Sequence, residues 1–183
     1  MSSHIPLKDA ASYLSVERIQ SATRLIHQSL QSAGVAQPRV AVAAFNPQGG
    51  DGGVCGREEI DVIAPAVAGL NAEGLRIDGP FPADTIFLKA RDGQYDAIVT
   101  MYHDQGQIAI KLMGFSKGVT VQGGLPIPIT TPAHGPAYDI AGQCRASDEA
   151  TWQAFPIATR TGRSLQPQRA ACLLPFAHQR YPL

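Results

Sequence analysis

Apolar and polar positions along the chain switch between helical and extended periods. From Ser15, a residue suited to an N-cap, Ile19, Ala22, Ile26 and Leu30 recur at helical spacing, and Gly34 supplies a stop. Arg39 to Phe45 then runs through valine and alanine without a polar break, the pattern of a strand covered on both faces of a parallel sheet. A glycine-rich loop, 46–56, follows. Glu58 and Glu59 open a second helix whose Ile60, Ile63, Val67 and Leu70 share a face, with Pro65 as a kink and Gly74 as the stop. Leu75 to Gly79 reads as extended, Ala83 to Leu88 as a short helix, 96–102 as a strand, Gln107 to Met113 as a short helix and Gly118 to Gln122 as a β-branched strand. Strands alternating with helices predict an α/β chain of three layers, α/β/α. Past Pro126 the pattern weakens: Thr130 to Gly135 reads as a loop, Ala137 to Ala141 as a helix, and Ser147-Asp148-Glu149 starts another that passes Trp152 and Phe155 and meets Pro156. Residues 162–183 have no clear period and are expected to form a loosely ordered tail behind a body spanning 1–161.

Composition narrows the function classes. A chain of 183 residues with 44% hydrophobic content can bury a core, and its 15 basic and 15 acidic residues leave no electrostatic footprint for nucleic acid or an anionic membrane. No apolar run approaches the roughly 20 residues that span a bilayer, and the N-terminus lacks a secretion-signal layout, so the expected location is the cytoplasm. Cys55, Cys144 and Cys172 are odd in number and far apart, which indicates neither a disulfide framework nor a thiolate zinc site.

Candidate chemistry collects in the loops that follow strands. Met101-Tyr102-His103-Asp104-Gln105-Gly106 comes directly after the apolar run 96–100, the way an α/β protein brings polar groups to the carboxyl end of its sheet. The loop 46–56 lacks both the G-x-G-x-x-G spacing and a G-K-[ST] sequence, so neither nucleotide fingerprint is present. It reads equally as an anion site at a helix N-terminus or as a tight strand-to-helix turn. His4, His103 and His134 all fall in predicted loops and are candidates to converge on one divalent ion, whereas His27 and His178 read as structural or solvated. Asp84 and Asp104 suit orienting a histidine, binding the ion or accepting a proton; Lys111 suits a phosphate or carboxylate, or plain solvation.

The ordered series Asn46-Pro-Gln-Gly-Gly-Asp-Gly-Gly-Val-Cys-Gly-Arg-Glu-Glu-Ile60, Gly79-Pro-Phe-Pro-Ala-Asp-Thr85, Met101-Tyr-His-Asp-Gln-Gly106, Gly124-Leu-Pro126 and His134-Gly135 resembles the 4-hydroxythreonine-4-phosphate dehydrogenase family. The similarity runs from about His4 to about Ala150 and covers that family's C-terminal half, with the N-terminal half missing. It implies an isocitrate/isopropylmalate-dehydrogenase-like fold with a largely parallel sheet. It also implies oxidation of a secondary alcohol in a small, phosphorylated hydroxy acid by NAD or NADP, followed by decarboxylation. The family is a homodimer whose divalent metal, zinc, magnesium, manganese or cobalt, is held by three histidines shared across the dimer. On this chain the first and third metal positions match His4 and His103. Asp84 and Asp104 match acidic residues near the metal, and Lys111 matches a substrate-binding lysine.

Several positions depart from the family. The second metal histidine falls on Gln48, whose amide oxygen is a poor zinc ligand and a tolerable one for magnesium or manganese. A substrate-binding asparagine falls on Thr120 and a substrate-binding arginine on Ile129, while Pro136 and Cys144 replace a threonine and a glycine. Two readings therefore stay open, a divergent dehydrogenase half and a non-catalytic remnant that keeps the fold and a dimer surface.

Overall fold

The computed structural model describes residue 2 and residues 4–114 and 117–173, with 166–173 by backbone alone. These residues form two compact units, a first within 1–31 and 35–113 and a second within 32–34 and 114–183.

The first unit is built on three parallel strands, β1 (Arg39–Ala43), β2 (Arg76–Phe81) and β3 (Ala97–Val99), in the order β2-β1-β3. Residues 40–43 of β1 are all fully buried because alternate side chains enter different cores. Val40 and Val42 meet Ile19 of helix α1 (Val16–Ser32) and Ile63, Val67 and Leu70 of the segment after β1. Ala41 and Ala43 meet Ile86 of helix α3 (Ile86–Arg91) on the opposite face. Helices on both faces of the central strand make the three layers that the uninterrupted apolar run predicts.

Local signals place the elements. Ser15 Oγ accepts the Arg18 N–H at 3.2 Å and caps α1. After the glycine-rich loop the chain forms a π-helical turn, Glu59–Ile63, that passes into α2 (Ala64–Ala72), with Pro65 in the first turn. The sequence pattern has a kink at Pro65; the chain instead changes helix type just before it, where a residue without an N–H costs no α-helical bond. At the end of α2 the Asn71 side chain donates to Ile77 O (2.7 Å) and accepts from Ile77 N (3.1 Å), covering backbone groups of β2.

Two boundaries differ from the sequence pattern. The short helix expected at Ala83 to Leu88 begins at Ile86, because Pro82–Thr85 is a turn in which the Thr85 and Ile86 N–H groups both donate to Pro82 O. The helix expected at Gln107 to Met113 is α4 (His103–Gly114), so His103 opens a helix and does not lie in a loop. Gly106, a weak helix former, obscures that start, while Asp104 in the first turn complements the helix dipole.

In the second unit β4 (Val119–Gln122) and β5 (Ile129–Pro132) pair antiparallel, with Thr120 opposite Thr131. The loop expected from Thr130 is therefore a strand as far as Pro132, which sits at its end where a missing N–H is tolerated. A 3-10 turn at Tyr138–Ile140 stands where a helix at Ala137 to Ala141 was expected. Helix α5 (Glu149–Leu173) buries Ala150 and Ala154, and Thr130 Oγ1 donates to Ala154 O at 3.0 Å. The helix passes Pro156 and enters the segment the sequence reads as a loose tail; residues 174–183 lie outside the described residues. No helix of the described residues is long and apolar enough to cross a membrane.

Candidate active site

Strand order fixes where a ligand crevice lies in the first unit. The chain crosses from β1 to β2 through α2 on one face of the sheet and returns over β1 to β3 through α3 on the other. The crossovers thus part between β1 and β3, and open α/β sheets bind ligands outside the carboxyl ends of strands at such a point. The glycine-rich loop with Gln48 leaves β1 there, and His103 follows β3. Asp84 lies in the turn after β2. Ser2 runs parallel to Tyr102, and its N–H and Oγ–H both donate to Met101 O at 3.0 and 2.9 Å, so the chain leading to His4 joins the β3 side.

Two imidazoles meet at this edge. The His4 and His103 ring centroids are 5.9 Å apart at an interplanar angle of 61°. His103 Nδ1 lies 2.8 Å from Asp104 Oδ1; with Nδ1 donating to the carboxylate, Nε2 keeps its lone pair for a ligand. Both side chains are well exposed, so this contact orients the ring more than it stabilises the fold. An ion bound by an imidazole nitrogen stands roughly 3.2 Å from the ring centroid, so two rings on one ion are separated by at most roughly 6.4 Å. That limit belongs to a linear arrangement; at a tetrahedral angle the rings stand roughly 5 Å apart, so the observed pair would close by about 1 Å on binding one ion. Among the described residues no group of three or more His, Cys, Asp or Glu assembles. Gln48 is exposed on the neighbouring loop, and an amide oxygen beside two imidazoles suits magnesium or manganese better than zinc.

A buried carboxylate shapes that loop. Residues 48–52 all take positive φ, an arrangement that needs support from outside the loop. Glu59, 3% exposed, provides it: Oε1 accepts the Phe45 and Asn46 N–H groups at 2.8 and 2.7 Å, and Oε2 accepts from Asn46 Nδ2 at 3.0 Å. Asn46 Nδ2 also donates to Glu58 Oε2 at 2.6 Å. Burial alone would push the Glu59 carboxyl up, but the Asn46 backbone and side-chain donors, with further backbone N–H groups, outweigh it and hold the group below its ordinary range. A Cβ on Gly50 would lie 2.6 Å from Glu59 Oε2 and 2.9 Å from Gly56 O, and one on Gly56 would lie 2.3 Å from Asn46 Nδ2. Glycine is required at both positions by this cradle, which favours the tight-turn reading of the motif over an anion site. Glu59 was not among the sequence candidates; the available signal was a carboxylate on the apolar side of the helix behind a glycine-rich loop.

The remaining candidates are scattered. Asp84 is exposed at the end of β2. Lys111 is exposed on α4, about 12 Å along the helix from His103, so one chain does not bring it to the imidazole pair. Thr120 is exposed on β4 in the second unit, as is Ile129 on β5. His134 also belongs to the second unit, where its Nδ1 lies 3.1 Å from Gly135 O.

Known proteins match this chain over most of its length. The family profile described as "Pyridoxal phosphate biosynthetic protein PdxA" matches residues 1–158. A Pseudomonas aeruginosa protein provisionally named 4-hydroxythreonine-4-phosphate dehydrogenase 2 is 60% identical over 165 residues, which are 89% of this chain and 49% of that protein. A D-threonate 4-phosphate dehydrogenase of Pectobacterium atrosepticum is 42% identical over 149 residues, 81% of this chain and 46% of that protein. A crystal structure of 4-hydroxythreonine-4-phosphate dehydrogenase from Klebsiella pneumoniae superposes with a TM-score of 0.76 at 40% identity, over 90% of this chain and 49% of that one. The chain spans about half the length of the curated relatives it matches.

Proposed function

The chain belongs to the PdxA family, and on that premise we propose that it is the C-terminal half of a dehydrogenase acting on a small phosphorylated hydroxy acid. The substrate class is 4-hydroxythreonine 4-phosphate or D-threonate 4-phosphate, as the names of its relatives suggest. The observation that carries this reading is the His4–His103 pair at the crossover point of the sheet, with Asp104 fixing the His103 tautomer.

In this reading His4 and His103 present nitrogen lone pairs to a divalent ion, with the Gln48 amide oxygen as a third donor from the loop. The ion, when bound, supplies positive charge to the alcohol oxygen and later to the ketone oxygen. Asp84 and Asp104 are the carboxylates at this edge available to take the alcohol proton, while the hydride goes to NAD or NADP. Loss of carbon dioxide from the resulting β-keto acid completes the reaction. Lys111 and Thr120 are proposed substrate contacts; the 12 Å offset of Lys111 suits a homodimer in which one copy supplies the lysine to the other's imidazole pair. A further support for the homodimer is α4 itself. It has no buried residue, and its Ile108 and Leu112, one turn apart, are 58% and 84% exposed.

The test is NADH formation by the full chain with each of the two phosphorylated acids, alone and mixed with the N-terminal half of the Pseudomonas aeruginosa relative. Oxidation abolished by His103→Ala supports the reading, and no oxidation under either condition overturns it. A second reading, a remnant without turnover, is favoured by Gln48 and Ile129 standing at positions where the family has a metal ligand and a substrate-binding arginine.

A further inference from the structure

We infer that Gln105 is a positioning residue whose side-chain amide locks the two halves of the carboxyl edge together. The inference rests on the reading of that edge as the active site. Regular pairing between β1 and β3 ends at Val42 opposite Val99. Beyond it one strand runs on to Ala44 and the other to Met101, and no backbone bond joins these two residues among the described ones. Gln105 fills the gap from the first turn of α4: Nε2 donates to Ala44 O at 2.9 Å and Oε1 accepts the Met101 N–H at 2.9 Å. One planar amide thus stands where a sheet peptide would, with its donor on the β1 side and its acceptor on the β3 side.

Both anchors are themselves committed. Ala44 is fully buried and its N–H donates to Phe81 O at 2.7 Å, tying the same point to the end of β2. Met101 is fully buried and its carbonyl receives both donors of Ser2, tying it to the segment that carries His4. Gln105 therefore closes a chain of bonds from the ends of all three strands to the His4 segment. Its backbone lies two residues from His103, and Ala44 lies four residues before Gln48. The amide sets the separation between the loop of Gln48 and the helix of His103 without contributing a ligand. The alternative, a local cap for α4, would call for bonds within 101–106 alone, whereas this side chain reaches 61 residues back to Ala44.

The experiment compares the full chain with Gln105→Met, which keeps the length and loses both bonds, and Gln105→Glu, which keeps an acceptor for Met101 and sets a carboxylate oxygen against Ala44 O. Backbone amide spectra and a cobalt(II) titration are read on each. In Gln105→Met, amide signals in both 46–53 and 101–104 shift or broaden, and cobalt affinity falls by about tenfold or more while the helical circular dichroism persists. In Gln105→Glu the disturbance is confined to the Ala44 side and the 46–53 loop. Changes restricted to 103–114 in both variants, or a Met101 amide in the unmodified chain that exchanges as fast as an exposed loop, would overturn the inference. So would unchanged cobalt affinity in Gln105→Met when the unmodified chain binds. If the unmodified chain binds no cobalt, the metal reading of the edge fails, and the amide signals and Met101 exchange alone decide the role of Gln105.

Discussion

Gly50 and Gly56 press against the same cradle of Glu59 and Asn46, which makes the glycine-rich loop a packing problem before it is a binding one. Alanine at Gly50 would place a methyl carbon within 2.9 Å of a backbone carbonyl that cannot rotate away, at φ +78°. The expected loss is about 2–4 kcal/mol in denaturant unfolding. Gly52→Ala, at φ +64° with nothing within 4 Å of the added carbon, is the control and is expected to cost about 1–2 kcal/mol. Equal costs at the two sites would contradict the cradle. Glu59 makes a second prediction. Its carboxyl is held below the ordinary range in the folded chain, so its contribution is complete above that range and is lost as pH falls through the folded value. Glu59→Gln is therefore expected to cost about 2–3 kcal/mol near neutral pH and progressively less in acid, read from urea midpoints across pH. A pH-independent difference would show that the charge is not what the donors hold. His4, His103, Asp84 and Asp104 could be named from sequence because each directly follows a strand or a strand-like segment. Glu59 and Gln105 could not, because their partners are backbone groups of distant residues that only the fold brings near.

At the scale of elements, the sheet and its two flanking layers were legible because an unbroken valine and alanine run has one economical explanation, a strand covered on both faces. What sequence reading misplaced were elements whose pattern is masked by glycine or proline. Gly106 hid the first turn of α4, and Pro126, Pro128 and Pro132 around Ile129-Thr130-Thr131 hid β5, which keeps its place through pairing with β4. Pro156 likewise fails to stop α5, whose Ala150 and Ala154 are buried around the hydrogen bond from Thr130. The α4 surface carries its own prediction. Leu112→Glu places a charge on an apolar residue that is 84% exposed. It is expected to halve the mass seen by light scattering while leaving the thermal midpoint of the dissociated chain within a few degrees. Loss of fold in the same variant would mean that α4 is covered from within its own chain.

For the whole molecule, the family and the fold were legible because the motifs keep their order along nearly the full chain, whereas activity was not, since the chain spans about half the length of its relatives. The first unit brings His4, His103 and Asp104 together, with Gln48 and Asp84 on the loops after β1 and β2, and the second holds Thr120 and His134. Lys111→Ala is expected to raise KM for the phosphorylated acid about tenfold or more with a smaller change in kcat, because a lysine that meets phosphate binds the ground state and transition state alike. An unchanged KM would place Lys111 in solvent. The proposed chemistry depends on the imidazole pair acting as one site. The most direct measurement is a cobalt(II) titration of the full chain followed by its visible absorption, with His4→Ala and His103→Ala in parallel. Saturable binding at one ion per chain is expected, weakened about tenfold or more in each variant; binding that is absent, or that survives both substitutions unchanged, would rule out a site shared by His4 and His103.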